Sequence, residues 1–559
     1  MRPGPAALLL AGSLVACGGS GGGGEDGPKD LVPPAIEITS PARGTLLEGA
    51  TSVTVTGRAT DDVEIAGVTI NGRAASLEPD GTFSLTLEVA EGITLIESIA
   101  SDAAGNQAAD ARGVLAGTLV DQATPVASGV AGHLAPPAMA GLAEMVSGLA
   151  AGVDWTALAA SQNPVASGST ACGYDVHVTS VEHGGIDVGA DAAAGGIAAT
   201  VTVRDLVVDG HANWDACVTS GTTDFTITAD AYDLTGLIAP RLEGSAIQVS
   251  LTGVTSGFRG FGVDINGVPG FVEDIIDGAV RDKLAEILRD KITEIVPPMA
   301  TDFLAEFLAD TWEVDLLGRT VGLSIAPVEM SWTEQGGTIV LDASAAVSGA
   351  EGGVYLSTPR PRPDDAAMAS TGLRVAVADD LLNQLMAGIW VSGALEAAAV
   401  PVDPATLGAA IGADVDSATV TLMLPPVASF DTSTGTARLT VGDLVITAFA
   451  PSGDTVASFV ISAEIDLAAE TASTGQVTLS THPARILGQV LEQSPDLLTP
   501  LDAQKVAAIG DLAIKQLSLV TDSLLDTLPI PGLPGAAITS PTLQPAGGYL
   551  LLGGEVEFQ

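Results

Sequence analysis

The sequence predicts a mixed fold, in which a β-sandwich is followed by a duplicated α+β body. Three observations lead to this prediction. Residues 34–118 consist of short runs that alternate apolar and polar residues and are separated by turn residues. Residues 119–559 contain a short apolar helix, a series of β-like runs and a long amphipathic helix, and this order occurs twice. With 559 residues, of which 47% are hydrophobic, the chain is large enough to bury several cores.

Residues 1–16 are predicted to be a signal peptide. A basic Arg2 precedes an apolar run over residues 6–15, which is shorter than the roughly 20 residues that a membrane-crossing helix needs. The run ends in Leu-Val-Ala-Cys-Gly, which resembles the lipobox of bacterial lipoproteins. This resemblance implies cleavage before Cys17, acylation of that cysteine and, because Gly18 follows it, a location in the outer membrane of the cell envelope. An ordinary signal peptide with an incidental cysteine is the alternative.

Residues 17–33 are predicted to form a flexible tether, because they are rich in glycine and nearly free of apolar side chains. Residues 18–22 match the G-x-S-x-G string of hydrolases. That motif requires a strand before it and a helix after it, and neither is possible in this stretch. The tether therefore carries no catalytic serine.

Composition excludes some partners. The net charge is −47, and nucleic acid is a poor partner because phosphate binding requires lysine and arginine. An anionic lipid surface is unfavourable for the same reason. The mean hydropathy is +0.41 and only 16% of residues are charged, so the chain is too apolar for a disordered acidic protein. This composition allows for apolar surface that takes a ligand.

The β-sandwich prediction covers residues 34–118, where Asn71-Gly72 and Asp80-Gly81 are predicted hairpin turns. The alternating runs resemble bacterial Ig-like domains, which implies a role as a spacer or a weak recognition module.

Four polar residues of this unit could bind Ca²⁺ at the ends of loops. They are Asp61, Asp62, Asp102 and Asn106. The alternative, which we favour, is that the same side chains stabilise turns.

Helices and a linker divide the rest of the chain. Helices are predicted over 138–155, 271–296, 379–391 and 502–528, since apolar residues recur there every three or four positions. A proline-rich linker, 357–369, separates a first half, 119–356, from a second half, 370–559.

The cysteines that remain after Cys17 form one pair, Cys172 and Cys217. In an exported chain such a pair predicts a disulfide. The alternative is a metal site that includes His177, His183 and His211, although the cysteine spacing matches no C-x-x-C pattern.

The order of these segments resembles the two-domain lipid-binding family of bactericidal/permeability-increasing protein, in the TULIP superfamily. VEMSWTEQGGTIVLDASAAVSG resembles the end of the family's first barrel, and GLRVAVADDLLNQLMAGIWVSGAL resembles the helix that opens the second. LPIPGLPGAAITSPTLQPAGGYLLLGGEVEF resembles the closing strands, and the cysteine pair falls where the family carries a disulfide. The resemblance implies that each half is a twisted antiparallel sheet wrapped on its long amphipathic helix, and that the halves share a central sheet.

The resemblance also implies that acyl chains bind in apolar pockets between helix and sheet. The candidate lipid-binding residues are Leu142, Met145, Val280, Leu284, Leu288, Leu381, Leu385, Ile389, Ile514 and Leu517. For each of them the alternative is an ordinary core position.

The four basic residues Arg281, Lys283, Arg289 and Lys291 alternate with acidic residues, which predicts ion pairs at i, i+4 on a helix surface. Neutral lipids are therefore favoured over a phosphate-rich head group.

The sequence thus predicts a non-enzymatic, membrane-tethered protein that binds or carries a lipid or another apolar small molecule, with the Ig-like unit as a spacer. None of the histidines lies in a motif with a nucleophile, so no catalytic residue is assigned. No cofactor is expected, and the sequence defines no protein partner. The alternative function is a structural surface protein or adhesin that acts through its Ig-like domain.

Overall fold

The computed structural model is rich in β-structure, with several sheets, and describes residues 30–558 apart from short gaps. The gaps are 152–153, 169–172, 216–219, 245, 266–280, 291, 295–296, 299–300, 302–311, 359, 364, 370–371, 400–402, 432–435, 472–476, 498 and 512–535. Within the described ranges, no helix has both the length and the hydropathy needed to cross a membrane.

The first unit is a β-sandwich of two sheets. Its strands are β1 (Ala35–Ser40), β2 (Thr45–Glu48), β3 (Ser52–Thr60), β4 (Ile65–Ile70), β5 (Arg73–Ala74), β6 (Ser76–Leu77), β7 (Thr82–Glu88), β8 (Gly92–Asp102) and β9 (Gln107–Asp121). One sheet has the order β1-β3-β7-β6 and the other β2-β9-β8-β4-β5. Inward-facing residues such as Val55, Ile70 and Phe83 form its core, as the alternating pattern predicts. Asn71 and Gly72 both have positive φ and join β4 to β5, which confirms this predicted hairpin.

The first half follows. Its elements are β10 (Val126–Leu134), α1 (Pro136–Ala151), α2 (Trp155–Ala160), β11 (Ala166–Gly168), β12 (Gly173–Glu182), β13 (Gly185–Ala193), β14 (Gly196–Asp215), β15 (Ser220–Glu243), β16 (Ala246–Arg259), β17 (Gly262–Ile265), α3 (281–290), β18 (Trp312–Leu316), β19 (Arg319–Thr333), β20 (Gly336–Val347) and β21 (Val354–Ser357). Strands β11 to β17 form one antiparallel sheet, the first end sheet.

The second half repeats this order with more helices. Its elements are α4 (Asp365–Met368), β22 (Leu373–Ala378), α5 (Asp379–Val391), α6 (Ala394–Ala399), α7 (Pro404–Ile411), β23 (Ser417–Leu422), β24 (Val427–Asp431), β25 (Thr436–Phe449), β26 (Thr455–Thr471), β27 (Val477–Gln493), α8 (503–511), β28 (Ala536–Ala546) and β29 (Tyr549–Phe558). Strands β23 to β27 form the second end sheet.

A central sheet joins the two halves. Its order is β18-β19-β20-β10-β22-β29-β28, so that β10 of the first half pairs directly with β22 of the second. This arrangement confirms the expectation of a sheet shared by both halves.

The bounds of α5 and α7 follow local chemistry, but the single helix predicted over 138–155 is wrong. α1 ends at Ala151 and a separate α2 begins at Trp155, where the Asp154 carboxylate caps it by accepting from Ala157 N–H. α5 spans the predicted 379–391, with two aspartates in its first turn, where the helix dipole favours negative charge. The Asp403 carboxylate accepts a hydrogen bond from Thr406 N–H and caps α7, which ends at Gly412 with a φ of +79°.

The long helices are described in part. Residues 281–290 and 503–511 are helical, as predicted, and pack on the first and second end sheets respectively. Gly510 allows α8 to lie close to its sheet, because a Cβ there would stand 2.9 Å from Cγ2 of Ile461.

Candidate functional site

The candidate site lies between α3 and the first end sheet. Leu284 points from α3 into the sheet and is 6% exposed, in one cluster with buried strand residues such as Val208 and Ile227. The Tyr232 hydroxyl on β15 donates a hydrogen bond to the Ala285 carbonyl at 3.2 Å, which fixes the helix to the strand. The spacing of apolar residues along α3 therefore produces one wall of an apolar layer.

Many apolar side chains at this layer are only partly covered. They include Val254, Phe258, Phe261, Val263, Ile287 and Leu288, which come from both the sheet and the helix. A packed core normally covers such residues completely. The helix–sheet layer of the first half therefore has apolar surface that a ligand could cover.

Aromatic rings form one edge of the layer. The Phe258 ring lies 4.9 Å from that of Tyr232 and 5.1 Å from that of Phe261, between ring centroids. The Arg281 guanidinium lies 4.5 Å from the centroid of the Phe261 ring, at cation–π distance. Sequence reasoning missed these aromatics. The signal was present, because two phenylalanines within four positions stand out in a chain with 4% aromatic residues.

The candidate residues on α5 of the second half lie in a core. Leu381, Leu385 and Ile389 of α5 are buried in one large core with strands of the central and second end sheets. Of the other candidate residues, Leu288 is half-buried, and Leu142 and Met145 lie on α1 with side chains outside the described part. Val280, Ile514 and Leu517 lie outside the described residues. The lipid contacts of all ten stay a prediction.

Polar residues of α5 connect several segments. The buried Gln384 amide donates to the carbonyls of Gln122 and Thr124, both at 2.9 Å, and accepts from Ala345 N–H at 2.7 Å. The Asp380 carboxylate accepts from the N–H and hydroxyl of Thr358, each at 2.8 Å, and so holds the start of the linker. The signal for this polar hub was a D-D-x-x-N-Q string on an otherwise apolar helix.

Stability should fall as pH rises from about 4 to about 6, because burial raises the pKa of Asp379 to about 6 from its ordinary 3.8. In this window the folded chain holds a proton that the unfolded chain releases. Asp379→Asn should remove this contribution, which is about 3 kcal/mol in total. Urea unfolding of both forms at several pH values measures it, and identical pH slopes for the two would contradict it.

The cysteine pair lies outside the described residues. The neighbouring residues Gly173 and Asp215 pair across β12 and β14, and the disulfide stays a prediction. His177 and His211 are cross-strand neighbours with stacked rings 5.0 Å apart, and His177 Nε2 lies 2.8 Å from the Asp175 carboxylate. His183 follows the far end of β12, away from this pair.

The loop carboxylates of the β-sandwich make turn contacts. Asp61 accepts from the N–H groups of Val63 and Glu64, and Asp102 accepts from Asn106. These bonds match the turn interpretation. Among the described residues, Asp30, Asp61 and Asp62 have carboxylate oxygens within 4.8 Å of one another.

Two basic residues of α3 make ion pairs, but the expected i, i+4 spacing is wrong for both of them. Lys283 pairs with Glu286 and Arg289 with Asp290, each at 2.9 Å. Lys291 lies outside the described residues. The residues four positions from Lys283 are Ala279 and Ile287, and those four positions from Arg289 are Ala285 and Thr293, so neither cation has a carboxylate at that spacing.

Comparison with known proteins gives a family match for the β-sandwich. Residues 34–117 match the family model described as glucodextranase, domain B. No curated protein sequence matches the chain.

Three solved structures cover more of the chain at low similarity. A crystal structure of lipopolysaccharide binding protein is 15% identical with a TM-score of 0.45, over 77% of this chain and 99% of that chain. P47 of Clostridium botulinum E1 is 5% identical with a TM-score of 0.23, over 77% of this chain and 100% of that chain. P47 from Clostridium botulinum A2 is 6% identical with a TM-score of 0.24, over 78% and 99%.

Proposed function

We propose that this protein binds a lipid or another apolar small molecule between α3 and the first end sheet. The observation that supports the proposal is the set of partly covered apolar side chains on both walls of this layer. An acyl chain placed there would gain about 25 cal/mol for each Å² of apolar surface that leaves water. Binding of this kind requires no catalytic group, and we propose a carrier or holding role without chemical turnover.

The charge of the protein favours a lipid that is recognised by its acyl chain and not by its head group. The chain has a net charge of −47, and the cations Lys283 and Arg289 on α3 are already paired with carboxylates. Arg281 lies over the ring of Phe261. A head group with several phosphates would therefore meet mostly negative charge, and we propose a lipid without net charge.

The proposed location is the outer membrane, with acylated Cys17 as the anchor. The support is the sequence alone: the short apolar run, the cysteine after it and the glycine-rich tether. Two or more acyl chains would hold the protein firmly, since each buried CH₂ contributes about 0.8 kcal/mol.

The test fills the proposed layer with a larger side chain. Leu288→Trp, in a chain that also carries Cys17→Ser to release it into the soluble fraction, should bind about tenfold less lipid because the ring occupies the space of the acyl chain. The probe is phosphatidylethanolamine in vesicles, and native mass spectrometry measures the lipid bound.

Leu491→Trp is the matched control, because Leu491 is 45% exposed on β27 of the other half. This variant should bind as much lipid as the parent. Equal binding by both tryptophan variants, or no binding by the parent, would count against the proposal.

A further inference from the structure

The β-sandwich packs against the back of the second end sheet. Strands β8 and β9 contact β24 to β27, whose other face meets α5 and α8. β9 also continues beyond the sandwich and pairs with β21 over Thr118 to Asp121. The second end sheet is therefore held on both faces.

Buried ion pairs join the two units. Arg43, between β1 and β2, places Nη1 2.9 Å from the Asp443 carboxylate on β25. Its Nη2 lies 3.5 Å from Asp110, which also binds Arg112 at 2.8 Å. Both aspartate side chains are fully buried, and the Gln489 side chain on β27 accepts a hydrogen bond from Arg43. Separating the two units would leave these buried charges without their partners, which is strongly destabilising.

The backbones of the two units nearly touch. A Cβ on Gly113 of β9 would stand 3.1 Å from the Cα of Gly442 on β25. Apolar side chains surround this contact, with Leu115 on one side and Leu424 and Val427 on the other. A branched side chain at Gly113 would therefore press on the backbone of β25.

No β-sandwich packs on the first end sheet in the described part of the chain, although β13, β14 and β15 contact β19 of the central sheet. The inner face of the first end sheet meets α1, α2 and α3, while outer-face residues such as Thr179 and Asp224 are exposed. Separating helix from sheet to admit an acyl chain requires the sheet to move, and a sheet packed on both faces resists this movement more strongly.

We propose that the β-sandwich is a brace that keeps the second half closed, so that the protein takes one ligand, in its first half. The part that concerns the ligand rests on the proposed function. In this arrangement Leu385 and Ile389 are core residues, and the two structurally similar halves have different roles.

The experiment loosens the brace with Gly113→Val in the full chain carrying Cys17→Ser. Gly67→Val on β4 is the matched control, because a Cβ at Gly67 would meet nothing within 4 Å. Hydrogen exchange of β25 and β26 and the number of phosphatidylethanolamine molecules bound, by native mass spectrometry, are both measured. Gly113→Ala replaces the valine variant if that variant does not fold.

The parent and Gly67→Val should bind one lipid per chain. Gly113→Val should exchange the amides of β25 and β26 about tenfold faster and accept a second lipid. An unchanged rate of hydrogen exchange in Gly113→Val, or two lipids bound to the parent, would contradict the proposal that the β-sandwich is a brace. A parent that binds no lipid contradicts the proposed function instead, and the exchange rates then still decide whether the β-sandwich restrains the second end sheet.

Discussion

Asp110→Ala is expected to lower the free energy of unfolding by about 3–5 kcal/mol. The Asp110 carboxylate accepts from Ile38 N–H at 2.7 Å and faces the guanidinium groups of Arg43 and Arg112. Its removal leaves two arginines in a largely buried place with one carboxylate, Asp443, between them. A buried charge without its partner costs far more than a lost surface pair.

Denaturant unfolding of the full chain, followed by tryptophan fluorescence and circular dichroism, measures this loss. Asp80→Ala is the control, because Asp80 is an exposed turn residue of the same unit whose carboxylate accepts from the N–H and the hydroxyl of Thr82. The control should lose much less stability, because water replaces the bonds of an exposed carboxylate. Similar losses for the two variants would show that the network contributes no more than a turn.

Gln384→Met is expected to cost about 3 kcal/mol or more, although the two side chains have similar volume. The substitution leaves the buried N–H of Ala345 and the buried carbonyl of Gln122 without this partner. The Thr124 carbonyl loses one bond but keeps the one from the Tyr355 hydroxyl. Each unsatisfied buried group costs about 1–3 kcal/mol. Because these groups belong to two segments of the first half, β20 and the turn before β10, whereas Gln384 lies on α5 of the second half, the loss should also loosen the contact between the two halves.

Gln504→Met provides the comparison, since Gln504 is exposed on α8. Its effect on stability should stay within about 0.5 kcal/mol. A difference of less than about 1 kcal/mol between the stability losses of the two variants would contradict this prediction. It would mean that water replaces the hydrogen bonds of Gln384 and that α5 does not hold the two halves together.

Local patterns predicted much of this fold. The bounds of α5 follow from an apolar period that starts at two aspartates, and the Asn71-Gly72 hairpin follows from the need for positive φ. The central sheet came from the resemblance to a family. The helix and the hairpin follow from residues close in sequence, and the central sheet follows from the order of helices and strands along the chain.

Contacts between distant residues could not be predicted. Arg43 and Asp443 are 400 positions apart, and neither differs locally from an ordinary surface residue. The spacer expected from the Ig-like pattern packs against the second half through such contacts. The partly covered layer at α3 also depends on how two elements meet, which the stripe of Leu284 and Leu288 alone does not determine.

The pairing of β22 with β29 has a consequence for how the chain folds. Val375 faces Leu552 in this pair, so the middle of the central sheet forms only when the chain closes a loop of more than 170 residues. High contact order of this kind slows folding and leaves apolar strands uncovered until the last of them is available. During synthesis the β-sandwich can fold early, whereas the two halves reach their final form together, after β29 has been made.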